Sequence, residues 1–92
     1  MRIRWTGPAV NDLTHICTYT EEHDSPAAAR RIARRLYEGV ASLRQFPYRG
    51  RRGRKADTRE LVFPRLPFLA VYRVHEDVIE VLRILHGAQR WP

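Results

Sequence analysis

The chain has 92 residues, 43% of them hydrophobic and 10% aromatic, enough for one modest core, so residues 1–92 are read as a single domain. Seventeen Lys and Arg against ten Asp and Glu give a formal charge of +7, which makes an anionic partner the expectation, either nucleic acid or an acidic protein. A single cysteine, Cys17, excludes an intrachain disulfide and a cysteine-rich metal site, and no apolar run approaches membrane-spanning length, so no membrane role and a cytoplasmic location are expected.

In chain order, Arg2 to Trp5 alternates charged and apolar residues and predicts a short strand. Thr6-Gly7-Pro8 breaks it and opens a helix, with Thr6 as the capping side chain and Pro8 tolerated in the first turn. Val10, Leu13, Ile16, Cys17 and Thr20 recur at spacings of three and four, giving one amphipathic face that ends near Glu22-His23. Ser25-Pro26 is a second helix start. Ala29, Ile32, Ala33, Leu36, Val40 and Leu43 mark the buried stripe of a long helix that Phe46-Pro47 ends. Two helices joined by a few residues near Asp24 form a hairpin.

Residues 47–58, PYRGRRGRKADT, hold two glycines and five cations and read as an exposed basic loop. Three strand-like runs follow: Arg59–Phe63, Phe68–Val74 and Val78–Leu85. A two-residue turn at Glu76-Asp77 sets Arg73 opposite Glu80, an oppositely charged cross-strand pair. That register puts Ala70, Tyr72, Val74, Ile79, Val81, Leu85 and, awkwardly, Arg83 on the core face. Leu69, Val71, Leu82 and Ile84 fall on the other, so both faces read as apolar and one is spare. Strand, helix, helix, strand, strand, strand makes an α+β domain, a helix hairpin packed on a small, mostly antiparallel sheet.

The strings "RIRWTGPAVNDLTHICTYT", "SPAAARRIARRL", "LRQFPYRGRRGR", "TRELV", "VYRV" and "EVLRILHGAQRWP", in that order, resemble the RelE/ParE toxins of bacterial type II toxin–antitoxin systems over essentially the whole chain. The resemblance implies a growth-inhibiting toxin neutralised by a cognate antitoxin that wraps around it, in a higher-order toxin–antitoxin assembly. An acidic, partly disordered antitoxin suits a +7 surface. The resemblance also implies one of two targets. RelE-like members cleave mRNA in the ribosomal A site as metal-independent endoribonucleases, whereas ParE-like members poison DNA gyrase and are not nucleases.

A metal-free ribonuclease must deprotonate a 2′-hydroxyl, stabilise the phosphate and protonate the leaving oxygen. The residues offered for that are Arg59, Arg83 and His86, His86 being the proton shuttle because imidazole titrates near neutrality. Against it, the catalytic arginine that the resemblance places two residues before the valine of "VY" is here Leu69, and the paired catalytic lysines map near Glu60 and Val62. The lost cations favour the gyrase reading. Its expected contact residues are Arg49, Arg51, Arg52, Arg54 and Lys55 on the loop, with Arg90 and Trp91 near the C-terminus. His15, His23, His75 and His86 are scattered, so no metal and no cofactor are expected.

Overall fold

Thr6 and Ser25 set where the two helices begin. In the computed structural model, which describes residues 1–87, 89 and 91, Thr6 is extended and its hydroxyl accepts the Ala9 N–H at 3.2 Å, opening α1 (Gly7–His23). Ser25 caps α2 (Pro26–Ala41) in the same way, its hydroxyl accepting the Ala28 N–H at 3.0 Å. The buried stripe of α1 runs through Ala9, Leu13 and Ile16; Val10, expected inside, is 47% exposed. The helix is rotated so that Ala9, which is fully buried, faces the sheet, and Val10 points away.

The long helix ends earlier than Phe46-Pro47. Beyond Ala41 the chain tightens into a single 3₁₀ turn, Ser42–Arg44, which keeps Leu43 fully buried and leaves Phe46 57% exposed. Gly39 sits where the Phe63 ring crosses α2; a Cβ there would lie 2.3 Å from Phe63 Cε1, so only glycine admits that ring.

β1 (Arg2–Trp5) is followed after the helices by β2 (Arg51–Arg52), β3 (Arg59–Val62), β4 (Phe68–His75) and β5 (Val78–His86). The spatial order is β1-β5-β4-β3-β2, with β1 parallel to β5 and the remaining pairs antiparallel. The expected α+β topology is therefore present, with one addition. β2 lies inside the stretch read as irregular loop. Two arginines in succession have no apolar alternation to announce a strand, and their pairing with Arg59 and Glu60 is a tertiary contact.

The Glu76-Asp77 turn holds as expected and puts Arg73 opposite Glu80, with Arg73 Nε donating to Oε1 at 2.7 Å. Farther along, the register shifts. Val71 faces Arg83 while Tyr72 faces Val81, so Leu82 is an extra residue, a β-bulge. The bulge reverses the alternation of the last part of β5. Ile84 joins the core, and Arg83 and Leu85 turn to the other face, opposite to the sequence expectation. The awkward buried arginine disappears with it.

Both helices cover one face of the sheet. Ala9, Ile16, Leu36, Val40 and Leu43 pack there against Leu61, Ala70, Tyr72, Ile79, Val81 and Ile84. A fully buried leucine such as Leu36 contributes about 2 kcal/mol through the apolar surface it removes from water. Among the described residues no helix is long and apolar enough to cross a membrane.

Candidate functional site: a paired sheet face and an unpaired basic basin

The bulge in β5 interrupts the ladder just past the end of β1, where backbone groups would otherwise be left without partners. The start of α1 supplies them. The Thr6 hydroxyl donates to the Leu82 carbonyl at 3.0 Å, and the Asp12 carboxylate accepts the Ile84 N–H at 2.9 Å. The same carboxylate takes both Nε and Nη2 of Arg83, at 2.7 and 2.9 Å, in a bidentate pair. The hydrogen bond to Asp12 pushes the Arg83 pKa up, against the opposing effect of burial. Arg83 is thus held as a fixed cation, and both its fork and its charge are spoken for.

The face away from the helices is less greasy than the sequence suggests. Glu80 receives Arg73 from the neighbouring strand and Arg4 from β1, and Glu60 accepts Nε and Nη2 of Arg51 at 3.1 and 3.0 Å. Both glutamates are largely buried, so the arginines over them compensate carboxylates that would otherwise be costly to cover. Between these pairs lie Val71 and Leu85, which are 0% and 3% exposed. Val62, opposite Leu69, is the large apolar residue left open on this face.

At the far end of the sheet the pattern is different. The segment 53–58 folds back on itself: Gly53 N–H donates to the Thr58 carbonyl at 2.8 Å, and the Thr58 hydroxyl donates to the Lys55 carbonyl at 2.6 Å. Upstream, Tyr72 anchors the chain. Its hydroxyl donates to the Pro47 carbonyl at 2.8 Å and accepts the Gly50 N–H at 2.9 Å. A Cβ on Gly50 would lie 2.7 Å from that hydroxyl, so the backbone reaches Tyr72 only as glycine. Burial raises the Tyr72 pKa, partly offset by the Gly50 N–H and by Arg59 and Arg49 nearby.

Arg59 also helps to hold this segment. Its Nη1 donates to the carbonyls of Gly50 and Tyr48, at 2.8 and 3.2 Å, and its guanidinium lies 5.0 Å from the Tyr48 ring centre. Between loop and sheet end is an open basin of about 960 Å³, with Arg52, Arg54, Lys55, Arg59, Arg73 and His75 on its wall. Among the described residues Arg52, Arg54, Lys55 and Arg59 meet no carboxylate within ion-pair distance. Lys55 instead lies 5.7 Å from the Trp91 ring centre.

The expected contact residues thus separate. Arg52, Arg54 and Lys55 line the basin with the Trp91 ring near Lys55, Arg51 is bound to Glu60, and Arg49 donates to the Ser42 hydroxyl at 2.6 Å. Arg90 lies outside the described residues. The three nuclease candidates do not converge. Arg59 stands opposite Tyr72 and His86 opposite Phe68, four residues apart along β4, roughly 13 Å at the usual strand rise. Arg83 is on the other face from Arg59. Conversely Glu60, Val62 and Leu69, onto or near which the resemblance maps the nuclease cations, are close neighbours on the outer face, Val62 directly opposite Leu69.

With this geometry in view, the similarity to known proteins is informative. Residues 3–91 match the model of the ParE toxin of the type II toxin–antitoxin system parDE. The chain belongs to the ParE toxin family. The Y4kP protein of Sinorhizobium fredii is 44% identical over 91 residues, covering 99% of this chain and 93% of its own. Toxin RelE2 of Caulobacter vibrioides is 39% identical over 88 residues, covering 96% and 97%. A solved structure of the chromosomal ParDE TA system from P. aeruginosa superposes with a TM-score of 0.87 at 31% identity, covering 94% of this chain and 95% of that one. This ParE-family chain is accordingly the toxin component of a type II toxin–antitoxin system.

Two parts of the candidate site escape a reading of the sequence alone. Asp12 stands three residues after Ala9 and four before Ile16, on the buried stripe of α1, and a carboxylate at such a position signals a buried partner. Arg73 and His75 reach the basin from β4, distant in sequence from the loop, and no local pattern marks them.

Proposed function

We propose that this toxin acts by binding DNA gyrase, as a poison of the gyrase–DNA complex and not as a nuclease, and that an acidic cognate antitoxin neutralises it. The observation that carries the reading is the outer sheet face. There the positions onto or near which the resemblance maps the nuclease cations hold Glu60, Val62 and Leu69, and the arginines beside them are already bound, Arg51 to Glu60 and Arg83 to Asp12. Arginines already bound to carboxylates in this way stabilise a crowded phosphate less than free cations would. Binding needs no general base, and a surface with four uncompensated cations at one end has the charge to meet an anionic target or an acidic antitoxin segment at an enhanced rate.

The test pairs two measurements on toxin released from its antitoxin. Purified gyrase should lose supercoiling and accumulate cleaved plasmid as toxin is added. Primer extension on translated messages in arrested cells should show no new ends. Normal supercoiling at saturating toxin, or codon-located cuts abolished by His86→Ala, overturns the proposal in favour of a ribosome-dependent mRNA endonuclease.

A further inference from the structure

The basin differs from the rest of the surface in how its cations are held. Arg59 is fixed by two backbone carbonyls and the Tyr48 ring, contacts that set its position without cancelling its charge. Arg52, Arg54 and Lys55 project from a segment whose backbone is tied by hydrogen bonds within 53–58. Asp57 is the one acid on the wall. An anion entering here finds Arg59 already held and the backbone that carries the other cations already folded, which lowers the entropy lost on binding.

The chemistry of the wall selects the kind of anion. Ala56 and Val74 are its only aliphatic side chains, too little to anchor a peptide, whose affinity normally rests on buried apolar or aromatic residues. Aromatic rings do stand among the cations. Tyr48 is 61% exposed, with Arg59 against its ring, and Trp91 lies by Lys55. Cations that track a backbone, interleaved with rings on which bases stack, are the equipment of single-strand nucleic-acid binding. A duplex keeps its bases stacked on one another and would leave Tyr48 unused.

We propose that this basin binds a single-stranded segment of nucleic acid, its phosphates on Arg52, Arg54, Lys55 and Arg59 and a base against Tyr48. The proposal deepens the toxin reading, since a gyrase–DNA complex and a translated message both offer nucleic acid. It is tested on the isolated chain, so its failure is distinct from a failure to inhibit gyrase.

The experiment is fluorescence anisotropy with labelled oligothymidylate, oligouridylate and a duplex of equal length, over a range of salt. Arg52→Ala/Arg54→Ala/Lys55→Ala is compared with Arg30→Ala/Arg31→Ala/Arg34→Ala, which removes the same charge from the exposed face of α2. Loss of three phosphate contacts should lower the salt slope by about 2 and weaken single-strand binding at least about tenfold in the first variant. The helix variant should lose less than about threefold. Tyr48→Ala should cost about tenfold, with Tyr48→Phe restoring it, because the ring is what stacks. Equal losses in the two triple variants, indifference to Tyr48→Ala, or tighter binding of the duplex would each overturn the site. Whichever of the two single strands binds more tightly through the basin identifies whether DNA or RNA is the natural source.

Discussion

Arginines dominate two regions of this molecule, and the two use them differently. On the outer sheet face Arg4, Arg51 and Arg73 each meet a carboxylate, Glu80 taking two of them and Glu60 one, and beside the bulge in β5 Arg83 meets Asp12 of α1. At the basin Arg52, Arg54, Lys55 and Arg59 meet none among the described residues. The first set stabilises buried acids and a β-bulge, so most of its charge is offset within the fold. The second is left to the solvent or to a ligand. A count of cations says little about function in such a chain; their neutralisation by neighbouring acids says much more.

The difference can be broken first at the clamp. Asp12→Ala removes a bidentate partner from Arg83 and leaves the Ile84 N–H unpaired beside the bulge. The expected loss is about 3 kcal/mol, read as a lower urea midpoint together with faster hydrogen exchange at Ile84. A loss below about 1 kcal/mol would mean that Arg83 is only loosely held and available for other work.

Tyr72→Phe tests the junction between the regions. Removing the hydroxyl leaves the Pro47 carbonyl and the Gly50 N–H without their partner, a cost of about 2 kcal/mol at neutral pH. The pH dependence has a definite sign. Burial holds the phenol pKa above its ordinary 10.0, so the group is protonated in folded and unfolded chains alike at neutral pH and its contribution is intact. As the pH rises past 10.0 the unfolded chain releases its proton first, and the folded state loses stability until the pH passes the folded pKa. Thermal melts above pH 10 should therefore fall more steeply in the parent than in Tyr72→Phe. Parallel slopes would show that another group governs alkaline unfolding.

The smallest effect on stability is expected where the functional effect should be largest. Arg52→Ala/Arg54→Ala/Lys55→Ala removes exposed side chains without acidic partners, so the urea midpoint should correspond to a change within about 0.5 kcal/mol. Growth arrest on expression of the variant without antitoxin should nevertheless be weakened. A substantial loss of stability would place these cations with the structural set and erase the contrast.

The starts of both helices were legible from Thr6-Gly7-Pro8 and Ser25-Pro26, because capping and proline's fixed φ act within a few residues. The Glu76-Asp77 hairpin and the Arg73–Glu80 pair were legible for the same reason: a short turn fixes the register on both sides of it. The same locality explains why the order of elements and the family resemblance could be read from the sequence. Tertiary structure decided the rest. A single extra residue at Leu82 flips the alternation of every residue after it, and nothing local to β5 announces it, since the groups that make the bulge tolerable come from Thr6 and Asp12 more than seventy positions away. For the same reason only the folded chain reveals which arginines are neutralised: an ion pair depends on where a distant carboxylate is brought, and sequence spacing does not encode that distance.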